Sequence, residues 1–331
     1  MSGLRDVDLH VRIAGTSALT PGRCVTTEAL VEEWMPHLNV AAVKRSTGIE
    51  QRFFAAPDDT AAALGARALR AALAAAAIDA SALERVIFVS SGLGDLVFPA
   101  TANLVCAELG LRGSCDAFDL NNACLGFLSA LDIAVRGIAT GSGPVAIVVA
   151  ELISRCMTPA DKRPYLVFGD AVTATVVTSA ASGGVLASWL RNDGVAFGNV
   201  RMANAAATGK RESIEFTATS TTIGDEAIAA MRVSTAAVLD SSGMTLDEID
   251  WVLPHQPNGV LFRQVLEALG IPSEKTVPVA ARIGSTGAAA IPYSLDALYR
   301  TRTVVPGQHI LMVGVGGGIS YGAILYQVPD A

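Results

Sequence analysis

Apolar residues at Phe127, Leu128, Leu131, Val135 and Ile138 recur at intervals of three and four, and Gly141 stands just beyond them. That spacing marks one face of a helix and predicts a helix over 125–140, closed by the glycine. Alanine-dominated 60–77 and the periodic stretches 225–239 and 259–269 read as further helices. Short runs at 86–89, 145–150, 172–178, 185–190, 251–253, 309–313 and 323–328 read as strands. Thr245-Leu246-Asp247-Glu248 has the pattern of a capping box, opening a short helix before the 251–253 strand. Strands that alternate with helices imply an α/β fold, with mostly parallel sheets covered by helices on their faces. The small and polar stretch Ser179-Ala180-Ala181-Ser182-Gly183-Gly184 divides the chain into an expected N-terminal part, 1–180, and a C-terminal part, 181–331.

Composition narrows the class. With 51% apolar and 17% charged residues among 331, the chain has ample material for a buried core. No apolar run reaches the roughly 18 residues of a membrane span, and the start of the chain lacks the hydrophobic region of a signal peptide. A cytoplasmic enzyme with no membrane partner is the expectation. The net charge of −7 argues against a nucleic-acid partner. Five cysteines form no CxxC pair and no Cys/His cluster, so no metal site is expected and the thiols read as reduced.

One of those thiols stands out. Cys124, in Asn121-Asn122-Ala123-Cys124-Leu125-Gly126-Phe127, falls where an apolar strand gives way to the 125–140 helix. The positive end of a helix dipole favours thiolate over thiol, so a lowered thiol pKa is expected there. The alternative is a free cysteine packed like a small hydrophobe. His255 ends the strand Trp251-Val252-Leu253-Pro254, and Gly314-Val315-Gly316-Gly317-Gly318-Ile319-Ser320-Tyr321-Gly322 is a glycine-rich turn between two strands. A cysteine, a histidine and a turn rich in backbone N–H groups suffice for acyl transfer through a thioester. Read singly, the turn is equally a plain hairpin and His255 a buried structural histidine.

Taken in order, these segments resemble the thiolase superfamily, in particular its β-ketoacyl-ACP synthase III branch. The resemblance includes Ser46-Thr47-Gly48-Ile49, Phe98-Pro99-Ala100-Thr101-Ala102, Ala117-Phe118-Asp119-Leu120 and the Cys124 segment. It continues through Phe168-Gly169-Asp170-Ala171, Pro254-His255-Gln256, Gly284-Ser285-Thr286-Gly287-Ala288-Ala289 and the final glycine turn. It implies a thiolase-like, five-layered α/β fold of two similar mixed-sheet halves. It also implies a transferase in which Cys124 takes an acyl group from acyl-CoA or an acyl carrier protein, with no further cofactor. The N–H groups of Cys124 and Gly317 would then form the oxyanion hole, and His255 would stabilise an enolate or handle a proton. The family is homodimeric, and Phe98 matches a residue that reaches into the partner's acyl tunnel. A heterodimer with a paralogue is the alternative assembly.

The departures carry information of their own. Where the family has its third catalytic residue, an asparagine, this chain has Ser285. The positions that match the family's adenine-gripping tryptophan and arginine are Ala42 and Ser46, and a basic carrier-docking position is Val260. Lys44, Arg45 and Arg263 are the candidate replacements, and 193–220 is expected at the mouth of the site. An acyltransferase of specialised, polyketide-like metabolism is therefore the expected function. Ordinary decarboxylative condensation with a malonyl thioester is the alternative, and a non-catalytic partner of a paralogue is a third reading.

Overall fold

The computed structural model describes residues 9–92, 94–209 and 213–330. Its strands gather mainly into two mixed sheets. The first holds, in spatial order, Val11–Leu19, Ala171–Ser179, Val145–Glu151, Arg85–Val89 and Asp116–Leu120. The second holds Gly184–Asn192, Ser320–Gln327, His309–Gly316 and Trp251–Pro254. In each, the first strand of the chain pairs antiparallel with the last, and the last pairs antiparallel with its predecessor. That predecessor then pairs parallel with an earlier strand. The two halves repeat one wiring, and the first adds Asp116–Leu120 as a parallel edge strand.

Alternation along the strands sorts the core into layers. Val145, Ile147 and Val149 face a central layer, while Ala146, Val148 and Ala150 face the outer helix Ala61–Ala76. In the second sheet Ile310 and Met312 face the same centre, and Leu311 and Val313 face the outer helices Ser220–Ser242 and Gly259–Leu269. The centre is filled by two helices, Gly126–Ala139 and Ala290–Thr301. Helix, sheet, helices, sheet, helix make five layers, the thiolase-like arrangement.

Local signals act where the residues dictate. Thr60 accepts a hydrogen bond from Ala63 N at 3.1 Å and caps the alanine-rich helix. Thr245 and Glu248 form the capping box. Two short ribbons complete the fold: Arg23–Thr26 with Gln51–Phe54, and Val200–Met202 with Ile214–Phe216. Among the described residues, no helix is long and apolar enough to cross a membrane.

Candidate active site

Cys124 sits on a tight turn at the end of the Asp116–Leu120 strand. Ala123 adopts φ +44°, and Asn121 Oδ1 accepts the Ala123 N–H at 3.0 Å. Asn122 Nδ2 donates to Ser129 Oγ at 2.9 Å, tying the turn to the helix that follows. Cys124 itself lies in the short 3-10 turn Ala123–Leu125, one step ahead of Gly126–Ala139. Gly126 makes this approach possible, because a Cβ there would come within 2.6 Å of Val89 Cγ1. Gly316 lies against the same turn, and a Cβ on it would be 2.9 Å from Cys124 N. The glycine turn thus borders the backbone amide of Cys124, with Gly317 next along it.

His255 follows the Trp251–Pro254 strand, its N–H bound to Val313 O at 2.8 Å. Gln256 fixes the segment by donating to Val277 O at 2.8 Å and accepting from Val279 N at 2.9 Å. The imidazole is 2% exposed, and its Nδ1 has no hydrogen-bond partner among the described residues. Burial pushes its pKa down to about 4, so the ring is neutral at physiological pH. Ser285 is held by its backbone: its N–H donates to Val167 O and its carbonyl accepts from Gly169 N, both at 2.9 Å. The following turn Gly287–Ala289 leads into Ala290–Thr301, as Ala123–Leu125 leads into Gly126–Ala139. The two central helices therefore present Cys124 and Ser285 by related devices.

Glu151 is the residue that motif reading missed. It ends a fully buried strand and is itself 1% exposed. Its carboxylate accepts from Ala288 N at 2.9 Å and from Ser91 N and Oγ, so it joins the Ser285 loop to the first half. Burial raises its pKa to about 7 against those hydrogen bonds. Its charge also bears on the nucleophile. Burial first, and Glu151 second, push the Cys124 thiol up to about 12. The expectation of a lowered thiol pKa is thereby corrected: placement deep in the cavity, away from bulk water, and a buried carboxylate outweigh the helix terminus, and the resting residue is a thiol. The signal available in the sequence was a lone acidic residue closing an apolar run, Val145-Ala146-Ile147-Val148-Val149-Ala150-Glu151.

Cys124, His255, Ser285 and Gly316, Gly317 and Gly318 line one cavity of about 710 Å³. Ser46, Val260, Val200 and Phe216 line it too, so the 193–220 region contributes to its wall. The proposed replacement cations do not. Lys44 is held by Glu28 and Glu50, and neither it nor Arg45 nor Arg263 lines the cavity. Lys162 and Arg163 do, with the Arg163 guanidinium 4.1 Å over the Phe216 ring. Ala42 does not line the cavity, and Phe98 lies on the surface, 85% exposed beside Leu96 and Val97. Among the described residues, no cluster of His, Cys, Asp and Glu could hold a metal.

Fold and cavity define a thiolase-like protein with a cysteine and a histidine brought together from its two halves. Sequence profiles of 3-oxoacyl-[acyl-carrier-protein] synthase III match residues 118–194, and of its C-terminal part residues 239–328. A β-ketoacyl-[acyl-carrier-protein] synthase III of Neisseria meningitidis serogroup C is 32% identical over 327 residues, covering 96% of this chain and 99% of the relative. Similar solved structures include the 3-oxoacyl-(acyl carrier protein) synthase III of Pseudomonas aeruginosa, at TM-score 0.88 and 28% identity, covering 97% and 99% of the two chains. A priming β-ketosynthase of the R1128 polyketide pathway superposes at TM-score 0.89 with 27% identity, covering 97% and 96%. The chain belongs to the β-ketoacyl-ACP synthase III family of condensing enzymes.

Proposed function

We propose that this enzyme transfers an acyl group, through a thioester on Cys124, from acyl-CoA or an acyl carrier protein to a second substrate in specialised metabolism. The observation that carries the reading is the meeting of Cys124, His255, Ser285 and the glycine turn in one cavity of about 710 Å³. Burial raises the Cys124 thiol, so attack needs a proton acceptor, and burial keeps the His255 imidazole neutral, with a ring nitrogen free to take the proton as the sulfur attacks. As Cys124 Sγ attacks the thioester carbonyl, its proton passes to His255. The oxyanion of the tetrahedral intermediate is received by the N–H groups of Cys124 and Gly317. Collapse of the intermediate expels the donor thiolate, which takes the proton from His255. In the second half-reaction His255 removes a proton from an alcohol, amine or thiol acceptor as it attacks the acyl-enzyme; the thioester C–S bond then breaks, and the departing Cys124 thiolate takes that proton back from His255.

Ser285 is the reason to place transfer ahead of condensation. Its hydroxyl is shorter than an asparagine amide and rotates, so it offers a poorer fixed donor to the enolate that malonyl decarboxylation creates. Ordinary condensation keeps one observation in its favour: the 32% identity, over nearly the whole chain, to enzymes named β-ketoacyl synthase III. The assembly we propose is a homodimer, in which Phe98 enters the partner's cavity, or a heterodimer with a paralogue. The exposed Leu96, Val97 and Phe98 support such a contact. A catalytic role is supported over a partner-only role by the complete cysteine and histidine pair.

The test follows the acyl group. Protein preloaded with a labelled acyl chain is offered alcohols, amines and thiols in one arm, and malonyl-CoA and malonyl carrier protein in the other. Label appearing in an ester, amide or thioester without CO₂ supports transfer. Stoichiometric CO₂ with a β-ketoacyl product overturns it in favour of condensation.

A further inference from the structure

Cys106 and Cys115 lie outside the catalytic cavity, and their sulfurs are 3.7 Å apart. Cys106 is in the helix Thr101–Glu108, and Cys115 immediately precedes the strand Asp116–Leu120 that delivers Cys124. The connection between them contains Gly110 at φ +73° and Gly113 at φ +70°, each with open space where a Cβ would point. Both thiols are half-buried and line a second, surface-open cavity of about 390 Å³ with Asn103, Leu111 and Asp116. Two thiols packed as small hydrophobes would explain the contact alone, but not their shared place on the wall of an open recess.

We propose that Cys106 and Cys115 form a reversible disulfide site, oxidised by a peroxide or by a small-molecule disulfide such as oxidised glutathione. Bond formation brings the sulfurs to about 2.05 Å. That closure is roughly 1.7 Å from the observed 3.7 Å. The two glycines and the open space around them let the loop follow. Burial and the neighbouring sulfur push the Cys106 thiol up to about 12, and either sulfur of the pair can open the reaction. With hydrogen peroxide, one thiolate attacks one oxygen and expels hydroxide, leaving a sulfenic acid. The other cysteine then loses its proton, attacks that sulfur and displaces the second hydroxide. Two thiols and one peroxide give one disulfide and two waters. With oxidised glutathione, one cysteine first forms a mixed disulfide and releases one glutathione thiol. The other then displaces the second.

The pair is separate from Cys124, which lines the other cavity. The site is independent of which acceptor the enzyme uses, so it stands or falls apart from the acyl-transfer reading.

The experiment treats the reduced full-length protein with stoichiometric hydrogen peroxide, and separately with a glutathione redox buffer, followed by thiol counting and non-reducing tryptic peptide mapping. Arg112 lies between the two cysteines, so cleavage there leaves a disulfide as a cross-linked peptide pair. The expected result is a mass loss of two hydrogens and a fall from five free thiols to three. A Cys106–Cys115 cross-link reversed by dithiothreitol completes it, absent in both Cys106→Ser and Cys115→Ala. Oxidation of Cys124 ahead of the pair overturns the proposal, as does sulfinic acid at either residue without a cross-link. So does an unreacted pair under conditions that oxidise the exposed Cys24.

Discussion

Replacing Ser285 by asparagine should convert a slow malonyl decarboxylase into a faster one. The backbone of residue 285 is pinned by hydrogen bonds of 2.9 Å to Val167 and Gly169, so the new side chain inherits a fixed origin. It projects from a residue lining a cavity of about 710 Å³, which has room for the longer amide. One preorganised oxyanion donor is worth roughly 2.7–4 kcal/mol, or about 10²–10³ in rate. The serine hydroxyl already supplies part of that interaction through a shorter, rotating donor, so the gain should fall at the lower end, about 10². The assay measures labelled CO₂ released from malonyl carrier protein and malonyl-CoA, by wild type and Ser285→Asn, each with a short acyl group preloaded on Cys124. A wild type that decarboxylates briskly, with no gain from asparagine, would refute the reasoning and restore ordinary condensation. Silence from both loaded proteins would show that the missing donor is not what limits them.

His255→Ala should slow both loading of Cys124 and onward transfer by roughly 10²–10⁴, because a thiol near 12 needs a proton acceptor; single-turnover acylation at the wild-type rate would mean the thiol ionises unaided. Gly316→Ala should place a methyl 2.9 Å from Cys124 N, costing about 1–3 kcal/mol of stability in addition to loading rate. Thermal unfolding and acylation kinetics report the two effects, and a variant unchanged in both would remove the glycine turn from the site. Glu151 has its native pKa raised to about 7 from 4.5, so the native state binds its proton more tightly than the unfolded chain. Its contribution to stability is therefore full below about pH 4.5 and is lost as pH rises through about 7. Glu151→Gln should remove that part of the decline, measured as the wild-type minus variant difference in unfolding free energy across this window. The same substitution should raise the alkylation rate of Cys124 near pH 8, because a charge that holds the thiol up is gone.

Regular periodicity made much of the scaffold legible. Gly259–Leu269 and Ala61–Ala76 follow the residue patterns that predict them, and the strands of the second sheet lie on the short apolar runs. Ala290–Thr301 was hidden, because it is buried in the central layer and carries Pro292, Ser294 and Asp296 among its apolar residues. Val11–Leu19 was hidden by Gly15 and a register shift after Ile13. Cys124 and His255 were visible at a strand-to-helix junction and a strand end, Ser285 only through the family resemblance, and the structure brings all three to one cavity. What motif reading could not reach was electrostatic. Burial of Cys124, and after it the charge of Glu151 brought near by the fold, raise the thiol where the helix terminus alone predicts lowering. The cations of the mouth were misplaced for a related reason: Lys44 has two carboxylates of its own, whereas Lys162 and Arg163 reach the cavity from a helix with no motif.

The central claim is a covalent acyl-enzyme on Cys124, and intact-protein mass spectrometry tests it most directly. The protein is incubated with a panel of acyl-CoA and acyl-carrier donors, and the modified peptide is then mapped. The account predicts a mass increase of one acyl group from at least one donor, located on Cys124, absent from folded Cys124→Ala and discharged when an acceptor is added. Acyl groups taken up equally by Cys124→Ala, or mapped to Cys106 or Cys115, would contradict it.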